Sequence, residues 1–286
     1  MKPPPFLHAA PRTVAEAIDL LAEHGDAARV LAGGQSLMPL LVMRMARPSV
    51  LVDLNRCAGL SAIERADGAL RIGAMARQID VQRAPQTPPL LAMALGWAGP
   101  RAVRNRGTLG GSMAHADPSA EAPAAALCLD AVMVLVSRQG QRLVPAAEFF
   151  RDALVTAIAP DEMLLEIRIP PAHPRCHFVE TGVRQADLAM AAIATDLALD
   201  GQGRISAIRI AAIGAANRPI RLPLAEQALL GRTPTPATLR EAARVGLAGA
   251  EPPSDLIASA AHRLAVLAGL LEEAVLGACH TEARAA

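Results

Sequence analysis

Two short words in this chain have the residue types needed to hold an anion. In Ala32-Gly33-Gly34-Gln35-Ser36 a glycine pair ends a short apolar stretch, and in Thr108-Leu109-Gly110-Gly111-Ser112 a second pair sits between hydroxyl side chains. Glycine lets the backbone turn sharply and leaves N–H groups bare. A helix starting just after such a turn adds its positive end, which favours a phosphate. Ser36 can cap that helix or donate to a phosphate oxygen. Two loops of this kind can embrace one pyrophosphate from both sides, each supplying backbone donors. An ordinary strand–helix turn with a serine cap also satisfies the first word, and two unrelated turns satisfy both. Neither word is G-x-G-x-x-G, which disfavours a Rossmann dinucleotide site.

What is missing narrows the chemistry further. Lys2 is the sole lysine and there is no tyrosine. A GxxxxGK[ST] phosphate loop, a lysine Schiff base and Tyr–Lys reductase chemistry are therefore excluded. No Ser/His/Asp or paired-carboxylate pattern stands out, so no residue is expected to be catalytic. The formal charge of +1 and the 2% aromatic content argue against a nucleic-acid partner. Cys57, Cys128, Cys176 and Cys279 are scattered, with no CxxC pair, so no metal ligands are expected and buried thiols are the reading. The start, Met1-Lys2-Pro3-Pro4-Pro5-Phe6, offers no signal-like apolar run. The most apolar stretches, Leu127 to Val136 and Leu264 to Cys279, are broken by Asp130 and by Glu272-Glu273. A membrane span needs ~20 uninterrupted apolar residues, so a soluble, cytoplasmic protein without membrane contact is expected.

The elements that position the two words can be read around them. Thr13 to Glu16 forms a T-x-x-E capping box ahead of Val14, Ala17, Ile18 and Leu21 at helical spacing, with Gly25 as the helix end. A strand over Ala28–Ala32 leads into the first glycine word. A helix follows from Ser36 or Leu37, with Pro39 tolerable in its first turn, and then a strand over Ser49–Leu54. This order describes a small α/β unit with parallel strands. Further on, strands are expected at Ala69–Ile72, Val132–Ser137 and Leu164–Ile169, and helices at Leu90–Ala98 and Ala122–Leu129. Gly99 to Glu121, rich in Gly, Arg, Asn, Asp and His, reads as a long functional loop. After a linker at Pro170–Pro174, three strands (His177–Val183, Ala189–Leu199, Arg204–Ile213) precede helices at Leu222–Leu230, Thr238–Gly246 and Leu256–Leu276. Strands first and helices afterwards suggest a separate α+β domain.

Other residues invite functional readings beside structural ones. His115 and Asp117 can shuttle protons at a cofactor edge or simply order their loop. Arg101, Arg104 and Arg106 can face a phosphate or partner, or form a solvated basic loop. Met38, Met43 and Met45 fit core or interface packing.

The residues flanking the glycine words carry a resemblance. Leu31 to Pro39, Arg104 to Ser112 and the continuation Ala114-His115-Ala116-Asp117-Pro118-Ser119-Ala120-Glu121 resemble the flavin signatures of the medium, FAD-binding subunit of molybdenum hydroxylases. Carbon monoxide dehydrogenase and xanthine dehydrogenase belong to that family. Phe6, Pro11 and the Ala15–Leu21 helix are similar to its start. Asp53-Leu54-Asn55, Ile72-Gly73-Ala74, Phe149-Phe150 and Glu162 to Pro170 sit at matching offsets, so the likeness covers nearly the whole chain.

The resemblance implies an α+β fold: a two-subdomain FAD-binding region of the vanillyl-alcohol-oxidase type (1–55 and 56–171), then a C-terminal domain (175–286) with a three-stranded antiparallel sheet and helices. It implies that Ala32, Gly33, Gly34, Gln35, Ser36, Thr108, Leu109, Gly110, Gly111 and Ser112 bind the FAD pyrophosphate. Glu121 would contact the adenosine ribose, and Leu164 would lie near the flavin or adenine. Glu180, in Phe178-Val179-Glu180, stands where many members carry a lysine near the pyrimidine end of the flavin. A carboxylate there would repel an anionic reduced flavin. By the same resemblance, a large partner subunit holds molybdopterin and a small one holds [2Fe–2S] clusters, with electrons arriving from the clusters and leaving to an external acceptor. The branch with an extra cysteine-rich insertion is disfavoured by the four scattered cysteines. A stand-alone flavin oxidase and a scaffold that has lost FAD remain as alternatives.

Overall fold

The computed structural model describes residues 2–184 and 187–281; residues 282–286, at the end of the expected C-terminal domain, lie outside the described residues. The chain begins with β1 (Leu7–Ala9), α1 (Val14–His24), β2 (Ala28–Leu31), α2 (Leu37–Val42) and β3 (Val50–Asp53). The strands form a parallel sheet in the order β1-β3-β2, as the helix–strand alternation predicts. Ala17, Ile18 and Leu21 turn the apolar stripe of α1 onto this sheet. The Thr13 hydroxyl accepts the Glu16 N–H at 3.2 Å, which is half of the expected box. The Glu16 carboxylate instead reaches one residue further back and takes the Arg12 N–H at 2.7 Å.

The second part runs β4 (Ile63–Ala66), β5 (Ala69–Gly73), α3 (Gln78–Arg83), α4 (Pro89–Trp97), α5 (Arg101–Arg106), α6 (Leu109–His115) and α7 (Glu121–Cys128). It continues with β6 (Val132–Ser137), β7 (Gly140–Pro145), α8 (Ala146–Phe149), β8 (Phe150–Asp152), β9 (Val155–Thr156) and β10 (Met163–Ile169). A five-stranded sheet in the order β4-β5-β10-β6-β7 has antiparallel neighbours throughout. The stretch expected as one long loop, Gly99 to Glu121, instead folds into α5 and α6. Thr108 starts α6 by accepting the Gly111 N–H on its hydroxyl at 3.0 Å, a local cap that outweighs the poor helix propensity of two glycines. Every residue of α7 is buried, and its run of alanines lets neighbouring elements approach closely.

The C-terminal part holds β11 (Arg175–Thr181), β12 (Ala191–Leu199), β13 (Ile205–Ile213), β14 (Ile220–Arg221), α9 (Pro223–Leu229), α10 (Pro236–Gly246) and α11 (Ala260–His280). The antiparallel sheet β11-β12-β13-β14 thus adds a short fourth strand to the three expected. Helix α11 starts later than the apolar pattern suggests because Ser259 caps it, accepting the His262 N–H at 3.2 Å.

This sheet is sandwiched between two layers. Its Cys176, Phe178, Ala192, Ala194, Ala211 and Ile213 join one core with α4 and α7, while Val179, Ile193 and Ile210 pack with α9–α11. The linker is tethered rather than free: the His173 N–H donates to the fully buried Asp196 carboxylate at 3.0 Å. Arg209 also donates to Asp196 at 2.5 Å and reaches Asp130, at the end of α7, at 3.0 Å. A buried carboxylate needs such donors to offset its lost hydration.

Candidate functional site

The two glycine words meet. A cavity of about 820 Å³ opens between the parallel sheet and the antiparallel one. Of the twelve residues expected at the site, Ala32, Gly33, Gly34, Gln35, Ser36, Thr108, Gly110, Gly111, Ser112, Glu121 and Leu164 line it. Leu109 does not; its side chain is fully buried in the core, which is what fixes the start of α6.

Glycine is required here by contact as much as by flexibility. A Cβ on Gly33 would run into the Arg106 carbonyl oxygen and lie 2.7 Å from the Gly107 Cα, so the two loops touch through bare backbone. A Cβ on Gly110 would lie 2.5 Å from the Ala74 Cβ and 2.6 Å from its Cα. Gly34 adopts φ +73°, a conformation that side chains disfavour. The N–H groups of Gly34, Gln35 and Ser36 find no acceptor among the described residues. Of the two roles open to Ser36, the structure shows no side-chain cap to α2, and the residue lines the cavity.

A clamp absent from the sequence reading locks the loops together. The Arg77 guanidinium donates to the Arg106 carbonyl at 2.5 Å and to the Asn55 side-chain oxygen at 2.8 Å. Asn55 in turn donates to the Ala32 carbonyl at 2.9 Å. Asp53 orients Asn55 through its N–H at 2.9 Å and its amide nitrogen at 2.6 Å. The chain of contacts therefore runs from one glycine loop to the other through residues far apart in sequence. Backbone bonds support it: the Gln78 N–H donates to the Gly107 carbonyl at 2.9 Å, and the Leu109 N–H to the Ala76 carbonyl at 2.9 Å.

On the opposite wall, β10 breaks register between Leu164 and Glu166. Such a bulge re-aims side chains, and Leu164 lines the cavity while the Leu165 carbonyl accepts the Ala74 N–H at 3.0 Å. Glu121, at the start of α7, is 7% exposed. Burial pushes its carboxyl up to about 7; its own N–H lowers it, the charge of Asp117 adds to the rise, and Arg104 counters it.

Asp117 orders its loop by accepting the Ser119 N–H at 2.9 Å, and both Asp117 and His115 line the cavity. Arg104 is spent on the Gly99 carbonyl. Met38, Met43 and Met45 are surface residues, Met45 being 74% exposed, so they pack no core. Cys128 and Cys176 lie in one core, Cys279 beside another and Cys57 beside the first sheet. Among the described residues no group of three or more His, Cys, Asp or Glu is arranged to hold a metal ion.

A cavity walled by bare amides and hydroxyls, with no lysine, suits a pyrophosphate-bearing cofactor. The comparisons with known proteins agree with this architecture. The family described as the FAD binding domain in molybdopterin dehydrogenase matches residues 5–172, and the CO dehydrogenase flavoprotein C-terminal domain matches 177–278. The chain belongs to this family of FAD-binding subunits of molybdenum hydroxylases. It is 38% identical, over 98% of its length and 96% of the relative's, to the 6-hydroxypseudooxynicotine dehydrogenase complex subunit alpha of Paenarthrobacter nicotinovorans. It is 34% identical to the carbon monoxide dehydrogenase medium chain of Hydrogenophaga pseudoflava, covering 96% of this chain and 97% of that one. A solved structure of carbon monoxide dehydrogenase from the same organism, lacking the Mo-pyranopterin moiety of its molybdenum cofactor, superposes with a TM-score of 0.94 at 36% identity, covering 97% of this chain and 98% of that one. The protein is thus an oxidoreductase subunit with an FAD-binding domain.

Proposed function

We propose that this chain is the electron-transfer subunit of a heterotrimeric molybdenum hydroxylase. In this reading, electrons come from [2Fe–2S] clusters of a small partner subunit, substrate is hydroxylated at the molybdopterin of a large one, and an external acceptor is reduced. The observation that carries it is the convergence of two lysine-free glycine loops, clamped by Arg77 and Asn55, on one cavity. FAD supplies the chemistry, an exchange of one or two electrons that no side chain here can perform. The chain's own part is to bind and orient. Amides of residues 34–36, with the Ser36 and Ser112 hydroxyls, would take the pyrophosphate; Glu121 would meet the ribose; Leu164 would pack against a ring. Gly33 and Gly110 would hold the loops close enough for one ligand to span them.

The test is purification of the chain from its native source with whatever travels with it. Two further subunits, one bearing iron–sulfur absorbance, together with FAD are expected. Flavin with no partner and turnover by the chain alone would favour a stand-alone oxidase. Partners without flavin would favour a scaffold.

A further inference from the structure

A leucine stands where the backbone asks for glycine. Strands β8 and β9 pair Asp152 with Val155, so Ala153 and Leu154 form a two-residue connection, and Leu154 adopts φ +59°. Glycine and asparagine enter this left-handed region readily, whereas a bulky side chain there is an outlier. The other side-chain-bearing residues with positive φ, among those described, have local reasons for it. Arg44, Ala116 and Asp130 follow the ends of α2, α6 and α7, and Asp67 turns β4 into β5 beside Gly68. Leu154 has no such reason. Burial does not offset the strain either, because the residue is 55% exposed.

The turn is nevertheless pinned. The Leu154 N–H donates to the Ala116 carbonyl at 3.0 Å, and Ala116 ends α6, the helix that the second glycine loop begins. That anchor sets the leucine on the wall of the cavity, whose lining also includes the exposed Val155 and Leu188. Leu164, on β10, lines the same cavity from a buried position. An apolar side chain held in water at an unfavourable backbone angle suits a ligand that covers it, and strain of this kind gathers at ligand sites.

We propose that Leu154 is a cofactor-packing residue: its side chain lies on a flat ring of bound FAD and takes both surfaces out of water. The glycine loops supply polar contacts for the pyrophosphate; the turn at Leu154 supplies the apolar contact that a ring requires. The inference rests on reading the cavity as the FAD site.

The experiment compares the full chain with Leu154→Asn and Leu154→Met, by urea denaturation of the apo forms and by flavin fluorescence on titration with FAD. Asparagine suits the left-handed backbone but offers no apolar face. Leu154→Asn should therefore denature at the parent's urea midpoint or above it, yet bind FAD about tenfold more weakly. A leucine with only a structural role would not move stability and affinity in opposite directions. Leu154→Met keeps the apolar area and should bind FAD within about twofold of the parent. Calorimetric titration with ADP then tells which ring is covered: weaker ADP binding by Leu154→Asn assigns the adenine, and unchanged ADP binding beside weaker FAD binding assigns the flavin. A Leu154→Asn chain that binds FAD as tightly as the parent, or that loses affinity and stability together, would overturn the proposal. A parent that takes up no FAD would instead sink the reading of the cavity, and this inference with it.

Discussion

The two glycine loops use the same residue for different purposes. In the 32–36 loop Gly33 is pressed against the other loop, but beyond it the amides of Gly34, Gln35 and Ser36 lack protein acceptors among the described residues, and Gly34 is needed for its positive φ. In the 107–112 loop nearly everything is already engaged. Thr108 is buried and caps α6, Leu109 fills the core, and Gly110 is pressed against Ala74. The first loop presents donors and the second is a fixed wall that sets where they point. Substitutions in the second should therefore damage the fold, whereas those in the first should damage binding before stability.

The largest effect is expected at the wall. Gly110→Val drives a branched side chain into the Ala74 backbone and should cost about 3 kcal/mol in urea denaturation. Next comes the clamp. Arg77→Ala leaves the Arg106 carbonyl and the Asn55 amide short of partners, at about 2 kcal/mol, with weaker FAD binding as the loops part. Arg77→Lys should recover little of it, since one ammonium cannot reproduce the forked geometry.

A smaller effect should appear with pH. Glu121 and Glu180 sit at about 7 and about 8 when folded, against an ordinary 4.5. Raised folded-state values contribute stability that is full below 4.5 and is lost as pH climbs through 7 and 8. Unfolding free energy should fall between pH 4.5 and about 8, by up to about 1.4 kcal/mol per pH unit for each group, and Glu180→Gln should reduce the slope. The smallest effect is the cap: Thr108→Ala should cost about 1 kcal/mol, and Thr108→Ser should regain most of it. Equal sensitivity of both loops to substitution would dissolve the contrast between them.

Much of this division was legible in the residues, for physical reasons. Glycine pairs beside hydroxyls announce close backbone approach, and the alternation of helix and strand before Leu54 announces parallel pairing. Other features left no local trace. Arg77 and Asn55 join the loops only after the chain brings them together, and nothing around either marks a bifurcated clamp. Helices α5 and α6 hide in a stretch whose Gly, Asn and Arg content reads as loop, because Thr108 and tertiary contacts override propensity. Strand β7, exposed along most of its length, lacks the alternation that marks a half-buried strand. At Glu180 the residue type was visible as unusual, but its burial was not.

The most direct test of the account is the flavin content of the parent chain beside Gly33→Ala, whose added Cβ meets the Arg106 carbonyl and pushes the loops apart. After incubation with FAD and desalting, the parent should show an oxidised-flavin spectrum and release equimolar FAD on denaturation. The variant, still folded by circular dichroism, should bind FAD at least about tenfold more weakly, a loss of about 1.4 kcal/mol. A parent that retains no flavin from excess FAD, or a variant that binds it as tightly as the parent, would contradict the account.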